Sequence, residues 1–228
     1  MASQRSRGQP LITPRLCRSR YQISMVARRS ITVQHPIFES GFSYINDEMT
    51  NIMTPEGFAA VVKQVEKDID RIDDALECMN ILRQSYYLTF LKFAKESLSL
   101  FDFSMLLGRF WTEEESSNGD VNVPVSLSAR WFKSADKQTL MYDDEYEIYK
   151  NLPDTFTVYR GVTPEGNPDG MSWTREYDKA EWFSNLFGKG YILEGTASKK
   201  DVLAFFSRRR EEEVVIEAKK VKNKKELQ

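Results

Sequence analysis

Apolar residues recur at spacings of three and four through the first half of the chain. Phe58, Val62, Val65, Ile69, Ile72, Leu76 and Met79 form a single seam, which predicts a helix opening at Thr54. Thr54 suits the capping position, Pro55 the first helical position, and Glu56 complements the helix dipole. A second stretch from Ile81 to Trp111, rich in Leu, Phe and Tyr, predicts another helix buried against the first. Glu113 to Gly119 is polar and predicts a break. Val121-Asn122-Val123-Pro124-Val125 predicts an edge strand, because Pro124 limits pairing. Trp131, Phe132, Leu140, Met141, Tyr142, Tyr146, Ile148 and Tyr149 then predict a helical segment that ends in a turn at Leu152-Pro153-Asp154.

The period changes to two in the last third. Phe156-Thr157-Val158-Tyr159-Arg160-Gly161-Val162 alternates like a half-buried strand, and Arg160 shares its parity with Phe156, Val158 and Val162. An inward guanidinium needs a partner, so the pattern predicts a carboxylate or a phosphate beside it. A turn-rich loop, Thr163 to Gly170, leads to Ser172-Trp173-Thr174. Thr174 is the expected cap of a short helix with Glu176 and Asp178 in its first turn, an apolar stripe of Ala180, Phe183 and Phe187, and an end at Gly188. Tyr191 to Thr196 reads as a strand and Lys199 to Phe205 as a short helix or turn. Glu213 to Ile216 reads as the final strand, and its continuous apolar run makes it central.

Composition narrows the chemistry. The 228 residues fit one substantial domain with helical extensions; 41% are hydrophobic, 29% charged, and the net charge of −2 gives no general affinity for nucleic acid. Charge is uneven: residues 1–34 hold seven arginines and no acid, and residues 219–225 hold five lysines. Residues 1–48 are expected to be a basic, disordered tail. A transit peptide, a basic arm for nucleic acid, and a start at Met25 or Met49 are the other readings of that stretch. Residues 49–119 read as a helical region, 120–221 as the main domain and 222–228 as a second basic tail. Cys17 and Cys78 are too far apart in sequence for a metal knuckle, which makes a reducing compartment the default. No apolar run has transmembrane length, so a cytoplasmic protein is expected. His35 is the one histidine, which disfavours a Ser-His-Asp triad, a Cys-His pair or a histidine zinc site in the main domain. Carboxylates, Arg, Lys, Ser/Thr and aromatics are left to do any catalysis, without a metal.

An inward Arg grips a phosphate with two parallel hydrogen bonds. A Ser opening the next element fixes a carboxylate by donating its hydroxyl, and a carboxylate at the head of a central strand stabilises an oxocarbenium-like cation. Arg160, Ser172 and Glu213 therefore suit a ligand with a diphosphate and a ribose, and NAD losing nicotinamide is such a reaction.

Val158-Tyr159-Arg160-Gly161, Ser172-Trp173-Thr174 and Glu211-Glu212-Glu213-Val214-Val215-Ile216 resemble the three motifs of the Arg-Ser-Glu class of ADP-ribosyltransferases. The stretch from Leu152 to Ala218 also resembles ADP-ribosyltransferase-like proteins of bacterial viruses and prophages. The resemblance covers roughly the last seventy residues and says nothing of residues 1–150. It implies a carboxy-terminal split β-sheet core, which with the helical amino-terminal part read from the apolar periodicity makes an α+β fold. It implies that Arg160, with Gly161 beside it, holds the NAD diphosphate, and that Ser172 orients the catalytic glutamate and supports the NAD pocket with Trp173 and Thr174. Glu213 would contact the nicotinamide ribose, and Glu211 would activate the acceptor, an arginine when a glutamate stands there. Phe205 to Arg210 would be the substrate-recognition turn.

The chain departs from the pattern in three places. Trp173 stands where a small residue is usual, and it would either stack on nicotinamide or fill the pocket. Arg208-Arg209-Arg210 replaces a glycine-containing turn. The interval from Arg160 to Glu213 is short for the toxins of the class and implies a pared-down core. The expected function is NAD-dependent mono-ADP-ribosyl transfer to a macromolecule, a protein, in the cytoplasm or in the host cytoplasm of a virus. The expected partners are NAD and that acceptor, with no membrane, and nucleic acid only through the basic amino-terminal tail. Two other readings keep the same fold: a non-catalytic, virus-associated binding module, and a hydrolase that splits NAD without an acceptor.

Overall fold

The computed structural model describes residues 22–26, 30–34, 41–70, 75–80, 82–114 and 122–227. These fall into two units, one reaching Asp102 and including Glu113 and Glu114, the other made of Phe103–Thr112 and the residues from 122 onward. The architecture is mixed α+β. Among the described residues no helix is long and apolar enough to cross a membrane. The readings of residues 1–21, and most of the polar break at 113–119, lie outside the described residues.

Among the described residues the first unit holds two hairpins and then, in chain order, the helices α1 (Pro55–Asp70) and α2 (Tyr87–Ala94). β1 (Gln22–Val26) pairs antiparallel with β2 (Ser30–Gln34), and β3 (Phe42–Ile45) with β4 (Glu48–Asn51). Three of these strands and part of the fourth fall in the stretch expected to be a tail. Asn46 and Asp47, at φ 49° and 65°, make the tight β3–β4 turn, a left-handed geometry that Asn and Asp tolerate. α1 (Pro55–Asp70) starts as its sequence predicts: the Thr54 hydroxyl accepts from Gly57 N at 3.1 Å, and Val61 and Val65 are buried. The helix does not follow the seam to Met79. It covers Pro55–Asp70 of the described residues, and Ala75–Asn80 is a 3-10 segment.

The helix expected over 81–111 is also broken. α2 (Tyr87–Ala94) is separated from α3 (Leu100–Glu113) by a 3-10 turn and an extended Leu98. Ser99 caps the new start, accepting from Asp102 N at 3.0 Å and donating to Asp102 Oδ2 at 2.7 Å. Leu88 and Leu91 are fully buried, and the Glu114 carboxylate accepts from Leu88 N at 3.0 Å at the amino end of α2.

In the second unit, the described part of the expected edge strand, 122–125, is not a strand: Pro124 precedes α4 (Val125–Ser134), and its carbonyl accepts from Leu127 N and Ser128 N. A proline has the right φ just before a helix and no N–H to pair in a strand. α5 (Lys137–Leu140) and α6 (Asp143–Lys150) follow, so the segment read as one helix is three short ones. Asp136 accepts from Thr139 N at 2.9 Å, and Tyr142 N donates to Glu145 Oε2 at 2.8 Å, which caps the second and third.

An antiparallel sheet of six strands follows, built of residues 155–162 (β5), 172–174 (β6), 191–198 (β7), 202–206 (β8), 213–216 (β9) and 222–227 (β10), in the order β10-β7-β5-β6-β9-β8. β5 (Thr155–Val162) pairs along its length with β7 (Tyr191–Ser198), and β6 (Ser172–Thr174) with β9 (Glu213–Ile216). Lys199–Phe205 is mostly strand: only Lys199–Asp201 is 3-10, and β8 (Val202–Phe206) is buried at all five positions, as an apolar run of that length allows. β9 lies between β6 and β8, but it is not the last strand. Lys222–Leu227, read as a basic tail, forms β10 on β7. Its exposed lysines blunt a free sheet edge.

α7 (Tyr177–Ser184) lies on the face of β5 that carries Gly161. Thr174 is in the strand rather than at the helix cap, yet its hydroxyl still accepts from Glu176 N at 3.0 Å. The predicted stripe ends early: Ala180 is buried, but α7 stops at Ser184, so Phe187 is 79% exposed in the turn to Gly188.

Candidate functional site

Three neighbouring strands carry the chemistry. The register pairs Tyr159 with Thr174 and Thr174 with Glu213. Directly paired residues share a face, and so do residues two apart, so Ser172, Thr174 and Glu213 leave the sheet together. The Ser172 hydroxyl bonds the Glu213 side chain. Thr174 Oγ1 donates to Glu211 O at 2.7 Å and holds the chain just before β9.

Arg160 starts from the opposite face, with Val158 and Val162 buried beside it. Its first partners are not acids. Nη1 donates to Ser172 O at 2.6 Å and Nη2 to Asn167 O at 2.9 Å. The loop of 163–170 wraps the guanidinium so closely that a Cβ on Gly170 would lie 2.1 Å from Nη2. Two backbone carbonyls, rather than a side-chain acid, thus take these two N–H groups. Two of the five N–H donors are committed by these bonds, and Nε is buried without a partner. Burial lowers the Arg160 pKa to about 10, opposed by the charges of Glu213, Tyr191 and Asp169, so the group is cationic at neutral pH.

Ser172 therefore touches both other members of the constellation, Arg160 through its carbonyl and Glu213 through its hydroxyl. The structure does not bring Trp173 or Gly161 to them as ligand contacts. Trp173 is 2% exposed and its Nε1 donates to Gly170 O at 3.2 Å. It fills the core rather than offering a stacking face. Gly161 faces α7, where a Cβ would lie 2.1 Å from Ala180 O, so its small size serves helix packing.

Glu213 is half-buried at the head of β9. Trp111 Nε1, from α3, donates to its Oε1 at 2.9 Å. Burial and the nearby Glu211 charge push the Glu213 pKa up to about 7, against the Ser172 and Trp111 hydrogen bonds and Arg209, which favour the anion. Burial also raises Glu211, offset by Arg209 and Lys179. Near neutral pH, Glu213 is thus poised between an anion that stabilises positive charge and an acid that holds a proton.

The turn from Ser207 to Glu212 aims these carboxylates. Arg209, Arg210 and Glu212 have φ of 64°, 57° and 41°, the left-handed region where a side chain costs roughly 1–2 kcal/mol. Glu145, with no exposed surface, holds the turn: it accepts from Ser207 N at 2.9 Å, Arg208 N at 3.2 Å and Arg208 Nη2 at 3.0 Å. The Arg208 guanidinium lies 3.8 Å from the Tyr142 ring centroid. Arg209 donates from Nη1 to Thr112 O at 3.1 Å and pairs through Nε with Glu211 Oε1 at 3.1 Å. Phe205 and Phe206 belong to β8, so the turn begins two residues later than the 205–210 expected.

Sequence reasoning missed Trp111, Glu145 and the separate duties of Arg208 and Arg209. Trp111 sits in an apolar helix where nothing local distinguishes it from core. Among the described residues no group of three or more His, Cys, Asp or Glu is placed to hold a metal ion. Comparison with family models, with curated proteins and with solved structures gives no match.

Proposed function

We propose that the chain is an NAD-dependent mono-ADP-ribosyltransferase with the split sheet core of the Arg-Ser-Glu class, related to the bacterial-virus members of that class. One observation carries the reading: Ser172 holds Arg160 by its carbonyl and Glu213 by its hydroxyl. A cation suited to a diphosphate and a carboxylate suited to an oxocarbenium ion are thus tied to one short strand.

In this reading Arg160 uses its remaining N–H donors on the NAD diphosphate. Ser172 and Trp111 orient Glu213 beside the nicotinamide ribose. The C1–N glycosidic bond breaks and nicotinamide leaves with the bonding electrons. The anionic form of Glu213 stabilises the cation left on the ribose. An acceptor nitrogen then bonds to C1 and gives its proton to Glu211. A guanidinium fits that role, because Glu211 already holds the one on Arg209. The acceptor is an arginine of a protein, and NAD as substrate puts the reaction in a cytoplasm.

The same ion pair favours a second reading. With Arg209 occupying Glu211, water is the competing nucleophile, and the enzyme splits NAD without an acceptor. Nicotinamide release and label transfer from NAD, measured for wild type beside Glu213→Gln, test both. Transfer with loss in the variant supports the first reading, and release without transfer the second. A wild type that neither binds NAD nor releases nicotinamide overturns both and leaves the non-catalytic module.

A further inference from the structure

The outer face of α7 carries groups that the fold does not use. Asp178, Glu181, Trp182, Asn185 and Leu186 line a groove of about 540 Å³. The spacing of 178, 181, 182 and 185 places them on one helix face, opposite the buried Ala180 and Ser184. Trp182 is 56% exposed and Leu186 45%, and the exposed Phe187 follows in the turn. Phe183 meets Trp182 edge-on, with centroids 4.9 Å apart. Neither Asp178 nor Glu181 has an ion-pair partner among the described residues.

We propose that this groove docks a basic, arginine-bearing segment of a partner protein. An exposed indole beside two unneutralised carboxylates matches a guanidinium, which stacks on the ring and donates to the acids. The same carboxylates repel a nucleic-acid backbone and an anionic lipid surface, and the apolar Leu186 and Phe187 suit the aliphatic stems of a peptide. This inference goes beyond the NAD reading and stands without it. Where that reading holds, the groove presents an arginine-bearing segment on the helix whose Lys179 acts on Glu211.

Fluorescence anisotropy with the full chain, no NAD, and a short labelled peptide of alternating arginine and serine tests the proposal. A peptide with glutamate for arginine is the control. Binding of the arginine peptide is expected to weaken roughly tenfold in Trp182→Ala. It is expected to weaken about three- to tenfold, with a flatter salt dependence, in Asp178→Asn combined with Glu181→Gln. All three residues lie on the surface, and unchanged circular dichroism verifies folding. No binding to wild type, or equal binding to the variants, overturns the proposal. Wild-type self-association that Trp182→Ala abolishes, without peptide binding, assigns the groove to a second copy and also overturns it. Because NAD is absent, failure here is distinct from failure to release nicotinamide.

Discussion

Trp111 Nε1 donates to Glu213 Oε1 at 2.9 Å across 102 residues of sequence, tying α3 to the first residue of β9. This bond and the Ser172 hydroxyl favour the Glu213 anion, while burial opposes it. Trp111→Phe keeps an aromatic ring against Phe132, whose centroid is 4.9 Å from the indole, and removes only the donor at Glu213. A hydrogen bond to a charged group contributes about 1.5–3 kcal/mol, so the Glu213 titration is expected to move up by roughly one pH unit or more. The acid limb of the pH profile of nicotinamide release reads this directly. An unmoved limb with a lowered plateau would mean that Trp111 only packs.

Glu213 also makes stability depend on pH. Its folded pKa of about 7 lies above the ordinary 4.5, so the folded state binds the proton more tightly than the unfolded chain does. The resulting stabilisation is fully present below pH 4.5 and is lost as pH rises through 7, until the buried carboxylate is fully charged. Glu213→Gln cannot charge, and it keeps an acceptor for Trp111. The variant is expected to match wild type near pH 5. By pH 8 it should be more stable, by up to roughly 3 kcal/mol. Melting temperatures across that range check the sign. A variant less stable than wild type at pH 8 contradicts it.

The parts of this site that local pattern encodes were legible in the sequence. Arg160 and its apolar neighbours alternate with period two, and β5 forms over that stretch. Glu213 opens an apolar run, and β9 begins there. Where the sequence misled, a local signal competed with a tertiary one. Lys222–Leu227 is polar and basic, yet it is a strand, because edge pairing with β7 needs backbone rather than apolar side chains. Trp173 and Gly161 sit inside the motifs but serve packing: the alternation of strand faces turns Trp173 away from Ser172, and Gly161 lies under the helix α7. Trp111 and Glu145 lie far from the motifs in sequence, and only the tertiary fold brings them in.

The turn before β9 depends on Glu145. This carboxylate has no exposed surface and satisfies two backbone N–H groups of the turn as well as the Arg208 guanidinium. Glu145→Ala leaves a mostly buried Arg208 unpaired, and a change of that kind costs about 3–5 kcal/mol. Arg208→Met is expected to cost less, since Ser207 N and Arg208 N keep their acceptor and the aliphatic chain still covers Tyr142. Urea unfolding of the two variants ranks them. If Arg208→Met proves the more damaging, the ion pair rather than the backbone bonds holds the turn.

Arg209 and Arg210 both have left-handed φ, but only Arg209 is compensated. It bonds Thr112 O and Glu211, whereas the exposed Arg210 side chain has no hydrogen bond or ion pair among the described residues. Glycine adopts this backbone without the Cβ clash, although its greater freedom in the unfolded chain offsets part of the gain. Arg210→Gly is expected to stabilise the protein by about 0.5–1 kcal/mol, and Arg209→Gly to destabilise it, because two tethers are lost with the side chain. Denaturation midpoints for the pair decide the matter. Equal destabilisation by both would show that the Arg210 backbone is not the strained one and that its side chain makes contacts in solution.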